Sequence, residues 1–512
     1  MSTAVLSRRE FTAAGLLLVT GVALGACGGT ADTGGTSGTL RIGQFWPPVS
    51  LDPAKAGGES LLYLSPAYEP LIYRAPDGGY QPWLAASWRY LGTGNMSFEI
   101  SLRDGVVFSD GSPLDAEALK ASIGHFRQTA GQAAAFLAPI AAIDVTGPLT
   151  VRLTMSEPHP RLPALFTQDF LAGNVIGPGG VSHPDQLATQ TFGTGPYQLV
   201  PEDTVANDHY TYASNPRYWN VRDRHYEKIT IKVLPNENTA LATLKTGQVD
   251  VIAGSYAIAD GAKAAGMRIA SSPAIVLGIQ LNDRDGVLSP PLKDVRVRQA
   301  LNFAIDRAKI TKALLGDYGI PTEQCAAPGE DGYNDTNFYR HDPGKARQLL
   351  ADAGLPNGFT LPVVIPSTPA YSADIVQAIA AELEQAGVSL KITTRDPATA
   401  NTELTKFPAS IMGWGALPVY FMGRGLWLHD AIGMNPFHST DPELEQLDRQ
   451  AAAADDEARP ELDRRIIRRV VELGWFLPVC LSPVFLFHQN TVAIDSVAGK
   501  PFPSIVSWHP TA

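Results

Sequence analysis

Cysteine is scarce in this chain, with three residues in 512. That excludes a disulfide-built scaffold and a four-cysteine metal site. Beyond Cys27 only Cys325 and Cys480 remain, and they fit either one disulfide or two buried free thiols. An excess of basic charge is also lacking. The formal net charge is −11 and no basic stripe or tail is visible, which argues against nucleic acid as a partner. Signatures of chemistry are missing too. There is no Gly-x-Ser-x-Gly elbow, His-Glu-x-x-His pair, Walker loop or Cys-x-x-Cys. Gly193-Thr194-Gly195 is followed by Pro196 and lacks the third glycine of a dinucleotide fingerprint. The ten histidines are scattered, and the nearest notable pair, His429 and His438, does not share a helical turn. Carboxylates are numerous, so an acid/base pair stays open on sequence alone. The balance moves toward binding, with no cofactor, no catalytic residue and no protein metal site expected.

Long apolar runs are confined to the start. Arg8 and Arg9 precede the uncharged stretch Ala13 to Leu24, which is shorter than the roughly 20 residues of a membrane-spanning helix. It reads as a removable export signal over 1–26. Ser7-Arg8-Arg9-Glu10-Phe11 resembles a twin-arginine signal, and Leu24-Gly25-Ala26-Cys27 resembles a bacterial lipobox. The resemblance implies that Cys27 carries lipid and begins the mature chain. The Gly/Ser/Thr stretch over 27–38 would then be a flexible tether. The remainder is expected to be soluble and held at the membrane by lipid alone.

The length demands two or three domains. Strands and helices alternate along the chain, which favours an α/β architecture. Phe98, Ile100 and Leu102 alternate with polar residues, as do Leu149, Val151, Leu153 and Met155, and again Ile229, Ile231 and Val233. These patterns predict half-buried strands. Leu119, Ile123 and Phe126 follow helical spacing behind a candidate N-cap at Asp115. Ile375, Ile379, Leu383 and Ala386 form a second stripe between Ser372 and Gly387, and Val388, Leu390 and Ile392 then alternate. Leu462, Ile466, Val470 and Leu473 predict a late amphipathic helix.

Several segments in order resemble the solute-binding proteins of bacterial ABC importers, in the peptide/nickel-binding family. They are Tyr68-Glu69-Pro70-Leu71, the run from Leu102 to Leu114, Gly193 to Tyr197, Asn215 to Trp219, Leu244 to Asp250, and Asp294 to Arg307. The resemblance implies a two-lobe, periplasmic-binding-protein-like α/β fold with a hinge of two crossing segments. Lobe I would comprise 39–68, 195–282 and 482–512, with a subdomain inserted over 69–194. Lobe II would span 284–481. The implied function is capture of a peptide or peptide-like solute between the lobes, by a monomer that delivers it to a membrane ABC permease without chemistry. A metal chelate is the alternative cargo, and a secreted hydrolase the remote alternative.

Gly413-Trp414-Gly415 matches a family segment bordering the cleft. Peptide-binding members commonly carry an Asp shortly after it, whereas here Ala416 to Tyr420 holds no carboxylate. Asp430 is the candidate substitute. Tyr420, Arg424 and Trp427 lie in the same glycine-broken segment, and Arg424 would suit a ligand carboxylate. From lobe I, Trp46 and Asn282 are expected at the ligand.

Overall fold

The computed structural model describes residues 37–367, 373–415, 417–431, 433–494 and 504–511. The export segment, Cys27, the tether up to residue 36 and Ser372 lie outside the described residues. Ser37 and Gly38, read from the sequence as the end of the tether, already belong to the Ser37–Gln44 strand, where Ser37 pairs with Tyr226. Among the described residues no helix is long and apolar enough to cross a membrane.

Local patterns translate directly into elements. The Ser97–Leu102 strand buries Phe98, Ile100 and Leu102 and turns its other residues outward, as period-two alternation requires. The Ala116–Gln128 helix opens on Asp115, whose carboxylate accepts from the Ala118 amide, and it buries Leu119, Ile123 and Phe126. The Arg459–Leu473 helix carries proline in its first turn and ends on Gly474 in the left-handed conformation.

The backbone of the molecule is one mixed sheet organised around two long antiparallel strands, Arg268–Leu281 and Phe476–His488. At one end they join Val251–Gly254, Ser37–Gln44, Tyr226–Val233, His209–Ser214 and Tyr197–Leu199. At the other end Arg268–Leu281 pairs with Ala409–Gly415, followed by Phe359–Pro366 and Val388–Arg395. The two long strands are therefore the covalent link between two halves. Their register shifts twice, between Pro273 and Ile275 and between Leu277 and Gly278. A separate antiparallel sheet of Ala85–Tyr90, Ser97–Leu102, Thr150–Met155 and Ile140–Gly147 has its own apolar core under the Ala116–Gln128 helix.

Cys325 and Cys480 are both buried free thiols. Burial pushes each up to about 12, so neither is a thiolate at neutral pH.

Candidate functional site

A cavity of about 210 Å³ lies where side chains from residues 74–170 meet the loop at 329–331. On one side are Arg74, Tyr80, Arg161 and Asp169; on the other are Glu330 and Asp331. Arg74 ends the short Ile72–Arg74 strand, and Arg161 immediately precedes the Leu162–Leu165 helix. Gly329 and Gly332 flank the two acids with φ of +83° and +78°. These positive φ values, costly for residues with a Cβ, turn the loop so that both carboxylates reach the arginines.

The charges span the two halves. Arg74 reaches Glu330 at 2.9 Å and Asp169 at 3.4 Å. Arg161 pairs with Asp331, and with Asp463 at 3.1 Å. Burial opposes the charge on both guanidiniums, but the facing carboxylates outweigh it and both are raised. For Asp463 burial prevails over Arg161 and pushes the carboxyl up to about 6. Arg74 Nε and Arg161 Nε are buried donors with no protein acceptor. The site thus holds two fixed cations, several acids and spare donors, a setting that suits a small solute carrying both signs of charge.

A second set of contacts closes the same two halves. Tyr420 and Phe421 enter the core of the inserted region, where Phe421 meets Phe136 and Phe170 at ring distances of 5.0 and 4.9 Å. The Tyr420 hydroxyl donates to the Pro158 carbonyl at 3.3 Å. Arg424 lies 3.6 Å over the Tyr420 ring and 3.6 Å from both Glu157 and Asp448. Asn95 donates to the Ala452 and Ala454 carbonyls, both at 2.9 Å.

The residues expected at the ligand are therefore dispersed. Trp414 packs against Gly425, where an added Cβ would approach its indole to 2.7 Å. Tyr420 and Arg424 serve the closure contact. Trp427 is buried in the core of the second half. Asn282 is buried and spent on the protein: its amide donates to the Phe407 carbonyl at 3.1 Å, while its oxygen accepts from Gln280 and Ser410 at 2.7 and 3.1 Å. Trp46 is 41% exposed, and its carbonyl accepts from the Tyr63 hydroxyl. The Asp430 side chain is 94% exposed. None of these seven lines the charged cavity. Arg74, Arg161, Glu330 and Asp331 carried no motif in the sequence; only the position of Arg74 just after Tyr68-Glu69-Pro70-Leu71 hinted at it.

The family model described as bacterial extracellular solute-binding proteins, family 5 Middle, matches residues 79–423. The chain belongs to this family. As a family 5 protein it is a solute-binding protein and not an enzyme, which removes the hydrolase alternative. The glutathione-binding protein GsiB of Salmonella paratyphi A is 28% identical over 310 residues, covering 59% of this chain and 58% of that protein. The chain thus matches a little over half the length of that curated relative. Two solved structures share the fold. One is the periplasmic binding protein DppA from Helicobacter pylori in complex with peptide STSA, with TM-score 0.77, 20% identity, and 92% and 98% of the two chains covered. The other is NikA from Brucella suis in complex with Fe(III)-EDTA, with TM-score 0.79, 23% identity, and 93% and 100% covered. The family 5 chain accordingly has the two-lobe binding-protein architecture, and its two long strands run between the lobes.

Proposed function

We propose that this chain is an extracytoplasmic receptor, lipid-anchored at Cys27, that captures a small peptide-like solute between its lobes and delivers it to a membrane ABC permease. Lobe I is taken as 39–68, 195–282 and 482–512 with its insertion over 69–194, and lobe II as 284–481. The observation that carries the reading is the cavity shared by the two halves, with Arg74 and Arg161 facing Glu330 and Asp331. Its volume of about 210 Å³ falls below the usual ~300–1,000 Å³ of ligand pockets, which favours a short solute over a long peptide. A free amine and a carboxylate on one small molecule would match the two signs of charge. Trp414, Tyr420 and Trp427, the aromatics that could stack on a flat metal chelate, are all engaged in packing, which favours the zwitterionic solute.

The test is a thermal-shift screen with glutathione, di- and tripeptide pools, and nickel and iron chelates. A solute at a hundred times its Kd stabilises the folded state by about 2.7 kcal/mol, so a true ligand raises Tm in a concentration-dependent way. A shift with chelates alone transfers the assignment to the metal-complex reading. No shift with any peptide removes the peptide reading.

A further inference from the structure

The segment between the Gly423–Trp427 turn and the Pro442–Ala453 helix brings together side chains that the sequence left apart. One donor atom from each of His429, Asp430 and His438 lies within 4.8 Å of the others. The two imidazole centroids are 5.2 Å apart. None of the three lines the charged cavity between the lobes.

The hydrogen bonds decide which nitrogens are free. His429 Nδ1 lies 3.0 Å from the His438 carbonyl, and His438 Nδ1 lies 2.9 Å from the His429 carbonyl. A carbonyl oxygen only accepts, so each Nδ1 carries its proton. Each Nε2 therefore keeps its lone pair in the neutral ring. This is the orientation that metal-ligating imidazoles adopt when a backbone carbonyl holds the other nitrogen. The third group, the Asp430 carboxylate, sits 3.7 Å from His429 Nε2.

The loop is also held in place. Asn435 is 1% exposed. Its amide donates to the Leu428 and Ser439 carbonyls, both at 2.9 Å, and its oxygen accepts from the Ser439 amide at 3.1 Å. His438 occupies the left-handed region with φ of +55°, a conformation that costs a non-glycine residue of order 1 kcal/mol or more. That cost presents the His438 ring to His429.

We propose that His429, Asp430 and His438 form a surface site for a divalent first-row transition cation of the zinc, nickel or copper type. Two imidazoles and one carboxylate suit these ions, whereas calcium and magnesium prefer all-oxygen sets. Metal–ligand bonds of about 2.0–2.2 Å require the donors to draw closer, a movement open to the exposed Asp430 side chain. Three protein ligands leave at least one coordination position for water or another ligand.

The test uses metal-free full-length chain titrated with zinc and with nickel chloride by calorimetry. One equivalent is expected to bind, with affinity falling at least tenfold in His429→Ala and in His438→Asn, the latter chosen because Asn tolerates positive φ. Asp430→Asn is expected to weaken binding by less. In the unmodified chain, bound zinc is expected to protect His429 and His438 from acylation by diethyl pyrocarbonate, a readout independent of variant folding. Absence of a bound equivalent, equal affinity in the histidine variants, or binding without that protection would overturn the site.

Discussion

Glu69 shows how a single buried residue joins segments far apart in sequence. It is 2% exposed and accepts four hydrogen bonds, from Trp83 Nε1 at 2.8 Å, Thr194 Oγ1 at 2.7 Å, Tyr218 Oη at 3.1 Å and Trp219 Nε1 at 3.0 Å. Burial pushes its carboxyl up to about 7; the four donors pull it down, but by less. Between the ordinary glutamate value of about 4.3 and pH 7 the folded state therefore holds a proton that the unfolded chain has lost. Stability contributed by this group is full in acid and declines as pH rises toward 7, by at most about 4 kcal/mol. Urea unfolding at pH 5, 6 and 7 should show that decline, and Glu69→Gln should flatten it. Glu69→Ala strands several buried donors at about 1–3 kcal/mol each and should lower Tm sharply. The motif Tyr68-Glu69-Pro70-Leu71 is thus held by its carboxylate's partners, which come from positions up to Trp219.

At the scale of elements, the two long strands determine how the lobes connect. Their second register shift falls at Gly278, where an added Cβ would sit 2.1 Å from the Leu477 carbonyl of the facing strand. The irregularity brings the two backbones closer there than any side chain allows. Gly278→Ala should force the strands apart and cost roughly 1–3 kcal/mol, as overpacking does elsewhere, read as a lower urea midpoint with unchanged slope. A changed slope would mean that the variant no longer unfolds as one unit. Helix signals behaved more simply: the caps at Asp115 and Asp294 both accept from amides of the first turn, because capping involves only neighbours in sequence.

For the whole molecule, the proposed two-lobe arrangement makes the buried contacts between residues 69–194 and 284–481 those of a closed state. Arg74 and Arg161 tie the inserted region to Glu330, Asp331 and Asp463, and Phe421 seals an apolar seam beside them. Charged pairs this buried are strongly destabilised when one partner is removed, by about 3–5 kcal/mol, because the other is left desolvated. Arg161→Ala is expected to favour the open form, in which Asp331 and Asp463 regain water. Small-angle scattering should then report a larger radius of gyration than for the parent chain. An unchanged radius would show that closure does not depend on this pair. A solute that bridges the lobes shifts the same equilibrium only by its preference for the closed form.

The sequence by itself determined the class of the molecule. Period-two and helical spacing gave the α/β elements around Phe98, Ile123 and Ile466, since side-chain periodicity follows from backbone geometry alone. The ordered motifs from Tyr68 to Arg307 pointed to the family because they encode turns, caps and buried hubs needed wherever this fold occurs. Tertiary structure alone decided which charged side chains meet. Arg74, Arg161 and Glu330 are brought together from distant segments, while Trp427 and Asn282 turn into the interior and Cys325 and Cys480 remain free thiols. Residue type and local spacing set which elements form. The direction in which a given arginine or tryptophan points depends on long-range packing, which no local pattern records.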